Sequence, residues 1–192
     1  MYIDIHTHAF HPKIAHKAVD HLNDFYSVNC AGDGTIAHLL ERERKAEMEK
    51  CVVLCAATAP AQVIPANNYA ITLQKEHEDR VIAFGTVHPG YEDWESELKR
   101  IKAAGIRGIK LHPDFQRFNI DAPQAYPIYE ALGELPVLIH MGDARYDYSA
   151  PARLARLVAG AGRAAARPRQ LDNGLDYVPQ FCWQKGKKTR HK

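Results

Sequence analysis

Asp4-Ile5-His6-Thr7-His8 closes a short apolar run that opens at Met1. Tyr2 to His8 reads as a strand, and alternate side chains along a strand share a face. Asp4, His6 and His8 therefore lie on one side, Ile3 and Ile5 on the other. Two imidazoles two residues apart on a rigid strand can hold one divalent cation, because neutral imidazole is a common ligand of zinc and its neighbours. A surface His-x-His near a loose N-terminus is the plainer alternative, and the strand context favours the metal.

Two later segments carry chemistry of the same kind. In Gly108-Ile109-Lys110-Leu111-His112-Pro113, Lys110 and His112 share a face with Gly108, while Ile109 and Leu111 share the other. The aliphatic pair should pack on helices, which turns Lys110 and His112 inward. Lys110 is then an electrostatic group for an anionic substrate, and His112 a substrate-binding group or an extra ligand. The plainer readings are a lysine that snorkels from a strand end and a hydrogen-bonded loop histidine. Val137-Leu138-Ile139-His140 is an apolar strand that ends in an imidazole, followed by Met141-Gly142-Asp143. His88 ends another strand and reads as structural first. Asp114, Arg117 and Arg145 follow strands 4 and 5, where contact with substrate is open to them, and read first as ordinary loop charges; His11, His16, His21, His38 and His77 read as loop or helix-surface residues.

The elements that must position these groups alternate. The strands expected are 2–6, 51–57, 81–87, 106–111 and 136–139. The run 51–57 is continuously apolar, as strands buried on both faces are. The helices expected are 35–50, 67–78, 94–104 and 123–132, with one more through Val158 that Ser149 can cap and Pro151 can open. Ile36, Leu39, Leu40 and Met48 form a helical stripe, and Gly105 is a usual helix stop. The segment 11–34 reads as a long loop or helix over the mouth. Strands alternating with helices imply a parallel sheet of βαβ units.

With these motifs placed, residues 1–158 resemble the metal-dependent hydrolases of the amidohydrolase superfamily, in the branch that includes small amidohydrolases and metal-dependent decarboxylases. The resemblance rests on Ile-Asp-Ile-His-Thr-His, Gly-Ile-Lys-Leu-His-Pro and Val-Leu-Ile-His. It implies an α/β fold of the (β/α)8 TIM-barrel type, with metal ligands at the carboxyl ends of strands 1, 5, 6 and 8. On that pattern His6 and His8 are the strand-1 ligands, His140 is the strand-5 ligand, and Lys110 and His112 are the catalytic candidates. The implied cofactor is a divalent metal, zinc by preference. Such an ion lowers the pKa of bound water to about 7 and polarises a carbonyl. The implied activity is hydrolysis of an amide, ester or lactone of a small molecule, with decarboxylation of an aromatic acid as the alternative. In parts of the superfamily a strand-4 lysine is carboxylated and bridges two metals, a role open to Lys110. A phosphoesterase of the polymerase-and-histidinol-phosphatase type also opens with His-x-His, but its further His/Asp/Glu motifs are not found. A TatD-like deoxyribonuclease expects Glu where this chain has Lys110.

Size then conflicts with the implied barrel. At about 28 residues per unit, eight units need about 225, and barrels of this type run to about 250. Only 52 residues follow His140. The strand-6 His-Leu-Gly-Gly and the strand-8 Asp of the family are not found, so the reading is a barrel of about five βα units, truncated near Val158. Residues 1–152 carry 15 Lys/Arg against 21 Asp/Glu, and residues 153–192 carry 10 against 2. The stretch 159–192 is therefore expected to be a divergent basic tail, disordered or frameshifted in origin. An inactive fragment is the corresponding non-catalytic reading. An open five-strand sheet would expose an apolar inner face and unpaired edges, which invites aggregation or dimerisation, a homo-oligomer. Four cysteines without paired spacing, and no signal peptide or membrane span, suggest a reducing cytoplasm, a small-molecule substrate, and no nucleic-acid or membrane partner.

Overall fold

A computed structural model describes residues 2–164 of the 192. Five strands, β1 (Ile3–Thr7), β2 (Lys50–Leu54), β3 (Val81–Thr86), β4 (Gly108–Leu111) and β5 (Val137–Ile139), form one parallel sheet in sequence order. The sheet curls into a half-barrel with helices between its strands. Every connection carries helix: α1 (Ala15–Tyr26) and α2 (Ile36–Lys45) after β1, α3 (Val63–Glu76) after β2, α4 (Trp94–Ala103) after β3, and α5 (Pro113–Gln116) and α6 (Tyr126–Leu132) after β4. After β5, α7 (Pro151–Ala164) runs to the end of the described residues. The remainder of the predicted tail lies outside them, as does Cys182. No described helix is long and apolar enough to cross a membrane.

The strand faces divide as the alternation requires. Cys51, Val53, Val81, Ala83, Ile109, Leu111 and Ile139 point outward into a core shared with the helices. Val52, Leu54 and Phe84 form a second cluster, with Ile82 and Leu138 against it, on the inner face. The register aligns Phe84 with Gly108, Thr86 with Lys110 and Lys110 with Leu138. Gly108 is required here: a Cβ would lie 2.3 Å from the Phe84 ring. On this inner face Val52, Leu54 and Phe84 are buried, while Ile82 and Leu138 are partly exposed. The exposed apolar residues of the open edge are instead Ile3 and Ile5, 38% and 48% exposed on the outer side of β1.

Several element ends differ from the sequence pattern for local reasons. The 35–50 helix stops at Lys45 because Glu47 takes a left-handed turn, φ 56°. Thr35 caps its start by accepting from the His38 amide. The 67–78 helix begins earlier, at Val63, because a 3-10 turn at Pro60–Gln62 feeds into it. Ser149 does not cap α7. The Arg153 and Leu154 amides both donate to the Ala150 carbonyl, and the Ser149 hydroxyl is committed to Asp114.

Candidate metal centre

The carboxyl ends of β1, β4 and β5 bring the predicted residues to one region. On β1 the ladder to β2 shifts register between Asp4 and Thr7. Irregularities of this kind re-aim side chains and recur beside active sites. Thr7 is buried and donates its hydroxyl hydrogen to the Val52 carbonyl at 2.8 Å. His6 and His8 stay together, with ring centroids 5.3 Å apart. The His8 Nδ1 lies 3.0 Å from the Leu54 carbonyl oxygen. A carbonyl only accepts, so Nδ1 carries the hydrogen and Nε2 presents a lone pair, the arrangement by which backbone carbonyls orient metal-binding histidines. The His6 Nδ1 is buried and has no hydrogen-bond partner.

On β4, Lys110 is fully buried, and its backbone carbonyl accepts from the Thr86 hydroxyl at 2.9 Å. His112 follows and caps α5: its Nδ1 accepts from the Phe115 amide at 3.4 Å. Its Nε2 lies 3.0 Å from the Tyr26 hydroxyl. From the end of β5, His140 stacks on His112 with centroids 3.9 Å apart and planes within 11°. The His140 Nε2 is 3.8 Å from the Asp114 Oδ2. One ligand atom from each of His112, Asp114 and His140 falls within 4.8 Å of the others.

The charges are mutually consistent. Burial, then the positive charge of Lys110, lowers the pKa of His6. The same two causes lower His140 to about 4. His112 falls to about 2 through burial, then His140, then Lys110. His8 is lowered to about 3, by desolvation of its ring first and then by Lys110. Near pH 7 the four imidazoles are therefore neutral, the form that ligates a cation. Burial raises Asp114, and the Ser149 hydroxyl at 2.9 Å offsets part of that rise. The donor set suits a divalent ion: imidazole nitrogens held neutral, one carboxylate, and two buried polar atoms, His6 Nδ1 and Asp114 Oδ1, without hydrogen-bond partners.

Asp114 and Tyr26 are the residues that sequence reasoning passed over. Asp114 read as a loop charge because the short helix α5 has no apolar period; the His112-Pro113-Asp114 spacing, a cap with Pro at the first helical position, is the signal that was available. Tyr26 ends α1, inside the segment assigned to the mouth, and nothing in its spacing marks it. Around it Phe25, Phe115 and Tyr146 form an aromatic wall, with Phe25 and Phe115 centroids 4.5 Å apart. Arg145 lies 4.2 Å over the Phe25 ring and pairs with Asp143 at 2.7 Å. His88, at the end of β3, accepts from the Gly90 amide at 3.0 Å and shapes its own turn. Arg117 is an exposed left-handed residue that ends α5.

A family model described as Amidohydrolase (Amidohydro_2) matches residues 3–172. The chain belongs to this family. Among solved structures, this amidohydrolase-family chain is similar to a TIM-barrel protein from Bordetella bronchiseptica, with 16% identity and a TM-score of 0.66 over 83% of this chain and 63% of that one. It is also similar to 5-carboxyvanillate decarboxylase from Sphingomonas paucimobilis, at 13% identity, TM-score 0.64, over 85% and 64% of the two chains. A third is the 5-carboxyvanillate decarboxylase of Novosphingobium aromaticivorans, complexed with manganese and 4-hydroxy-3-methoxy-5-nitrobenzoic acid, at 19% identity, TM-score 0.62, over 86% and 62%. These likenesses establish the TIM-barrel type of fold. The chain spans under two thirds of the length of each of these relatives. No curated protein matches it.

Proposed function

We propose that this amidohydrolase-family protein is a divalent-metal enzyme that decarboxylates a small aromatic acid. His6, His8 and His140 hold the ion in this reading. The observation that carries it is the His6/His8 pair, ring centroids 5.3 Å apart, with Lys110 lowering the pKa of both and of His140, beside an aromatic wall. The bound ion supplies Lewis acidity and fixes the orientation of a substrate carboxylate or hydroxyl.

The residues of the chain do the rest. Leu54, through its carbonyl, holds His8 with Nε2 outward. Lys110 is too deeply buried to touch a substrate, and its charge keeps the histidines unprotonated and favours an anionic ligand. Phe25, Tyr26 and Phe115 offer apolar surface to a planar ring, and the Tyr26 hydroxyl, held against His112, is a polar contact at the rim. In the reaction the carbon–carboxylate bond breaks, its electron pair returns to the ring carbon, that carbon takes up a proton, and carbon dioxide leaves. Manganese in the Novosphingobium relative and zinc by donor type are both tested as the ion.

Hydrolysis of a carbonyl is the second reading, and Asp114 favours it. A carboxylate 3.8 Å from a ligand imidazole, with a pKa raised by burial, is a group suited to move a proton. One assay separates the two. Full-length protein loaded with Mn2+ or Zn2+ is offered hydroxybenzoates on one side, and amides, esters and lactones on the other. Release of carbon dioxide, abolished by chelator and by His8→Ala, supports decarboxylation. Turnover of the second panel alone replaces it with hydrolysis. No turnover of either panel, together with no metal bound, removes the metal-enzyme reading.

A further inference from the structure

We propose that Asp114 is itself a metal ligand, and that His112, Asp114 and His140 form a cation-binding cluster at the β4 and β5 ends; the neutral His140 ring has one lone pair, so an ion held here takes His140 from the His6/His8 pair. The inference rests on the proposed use of a divalent ion and names residues beyond that reading.

Three observations converge on it. The ligand atoms of the three residues lie within 4.8 Å of one another, close enough for one ion with small side-chain adjustments. Asp114 is 3% exposed, and its Oδ1 is buried without a hydrogen-bond partner. Its other oxygen has one neutral donor, the Ser149 hydroxyl, at 2.9 Å, and His140 at 3.8 Å. A buried carboxylate is costly unless a cation or several donors compensate it, and Ser149 alone does not. The local frame is fixed independently of any ion. Pro113 opens α5, and the Gln116 amide group bridges back, donating to the Val87 carbonyl while its oxygen accepts from the His112 amide. Asp114 is thus held against the His140 ring by a rigid turn rather than by chance rotamers. Through Nε2, which faces the Tyr26 hydroxyl, His112 ligates only in the tautomer that carries its hydrogen on Nδ1 and releases the long 3.4 Å cap from the Phe115 amide. Two imidazoles with a carboxylate suit Mn2+ or Zn2+ better than Ca2+ or Mg2+, which favour all-oxygen sets.

The test is Mn2+ binding to metal-stripped full-length protein, read by electron paramagnetic resonance of the free ion. Asp114→Asn keeps the shape and the Ser149 contact but gives up the charge. It is expected to weaken Mn2+ binding more than about a hundredfold, beyond the roughly 10–100-fold that loss of an outer-sphere partner costs. Thermal melting gives a second reading. Without metal, Asp114→Asn is expected to melt at or above the wild-type temperature, since a buried charge is gone, and added Mn2+ should raise the melting temperature of wild type well above that of the variant. Should Asp114→Asn fail to fold, His112→Asn, which retains a capping acceptor, decides in the same way. Wild-type Mn2+ affinity in Asp114→Asn, with binding lost in His8→Ala, overturns the inference and leaves the proposed function standing. No Mn2+ or Zn2+ bound by wild type overturns both.

Discussion

Two buried polar clusters flank β3 and β4, and they are built on opposite principles. Outside the sheet, Asn67 of α3 donates to the Thr86 carbonyl at 2.9 Å, accepts from the Thr86 amide at 2.7 Å, and donates to Glu97 at 2.7 Å. Arg100 closes the far side of Glu97 with two bonds, at 2.7 and 2.8 Å. Gly85 lets the Asn67 amide approach the strand, since a Cβ there would lie 2.8 Å from its oxygen. Inside the curl, Asp114, His6, His112 and His140 are as firmly positioned, yet His6 Nδ1 and Asp114 Oδ1 end without hydrogen-bond partners. A buried network that is fully satisfied rigidifies the fold; one that is firmly held and incompletely satisfied is poised for something that binds. The first cluster ties β3 to α3 and α4. The second lies at the carboxyl ends of β1, β4 and β5.

Breaking the closed cluster should have the largest effect on stability. Asn67→Leu leaves the Thr86 amide and carbonyl, both buried, without their partners and takes one donor from Glu97. The expected loss is about 3–5 kcal/mol, read as a lowered urea midpoint with an unchanged slope. An Asn67→Leu protein as stable as wild type would show that the two clusters do not differ in this way. Gly108→Ala strikes the packing beneath the open cluster. The added methyl meets the Phe84 ring, which must leave its rotamer, at a cost of about 1–3 kcal/mol. The pairing Phe84→Ala with Gly108→Ala should restore fit at that contact, so a double-mutant cycle is expected to show clear coupling. Independent effects would mean that the ring moves aside freely.

The sequence made some of this legible and not the rest, for identifiable reasons. The five strands followed from short apolar runs between helical segments, and the shared faces of His6 with His8 and of Lys110 with His112 from period-2 alternation. The resemblance supplied the family, which the match over residues 3–172 establishes. Element ends were less legible, since Glu47 and the Pro60–Gln62 turn settle them through local backbone geometry. Ser149 looked like a helix cap, as Ser before Pro often is, and only the tertiary fold sends its hydroxyl to Asp114, 35 residues away in sequence. The same holds for Tyr26 and His112, separated by 86 positions. Contacts of that span leave no periodic trace.

The last effect concerns protons. His140 and His112 ionise near 6.5 in the unfolded chain, and near 4 and 2 when folded. Between about pH 6.5 and 4 the unfolded state therefore binds more protons than the folded state at both positions, so stability falls as pH falls. Each histidine contributes up to about 1.4 kcal/mol per pH unit once the pH is well below 6.5. Asp114 acts in the opposite sense: its raised folded pKa means that the native state takes up that proton first, which offsets part of the loss just above the ordinary carboxylate range. Urea midpoints of metal-free protein from pH 7.5 to 5 should thus decline, and the decline should lessen in Lys110→Met. That variant removes a positive neighbour, so the folded histidine pKa values rise toward their unfolded values. The closed cluster predicts no such slope, because Asn67 does not titrate. A flat profile in wild type would mean that the inner imidazoles are solvated like exposed ones, and the contrast between the two clusters would vanish.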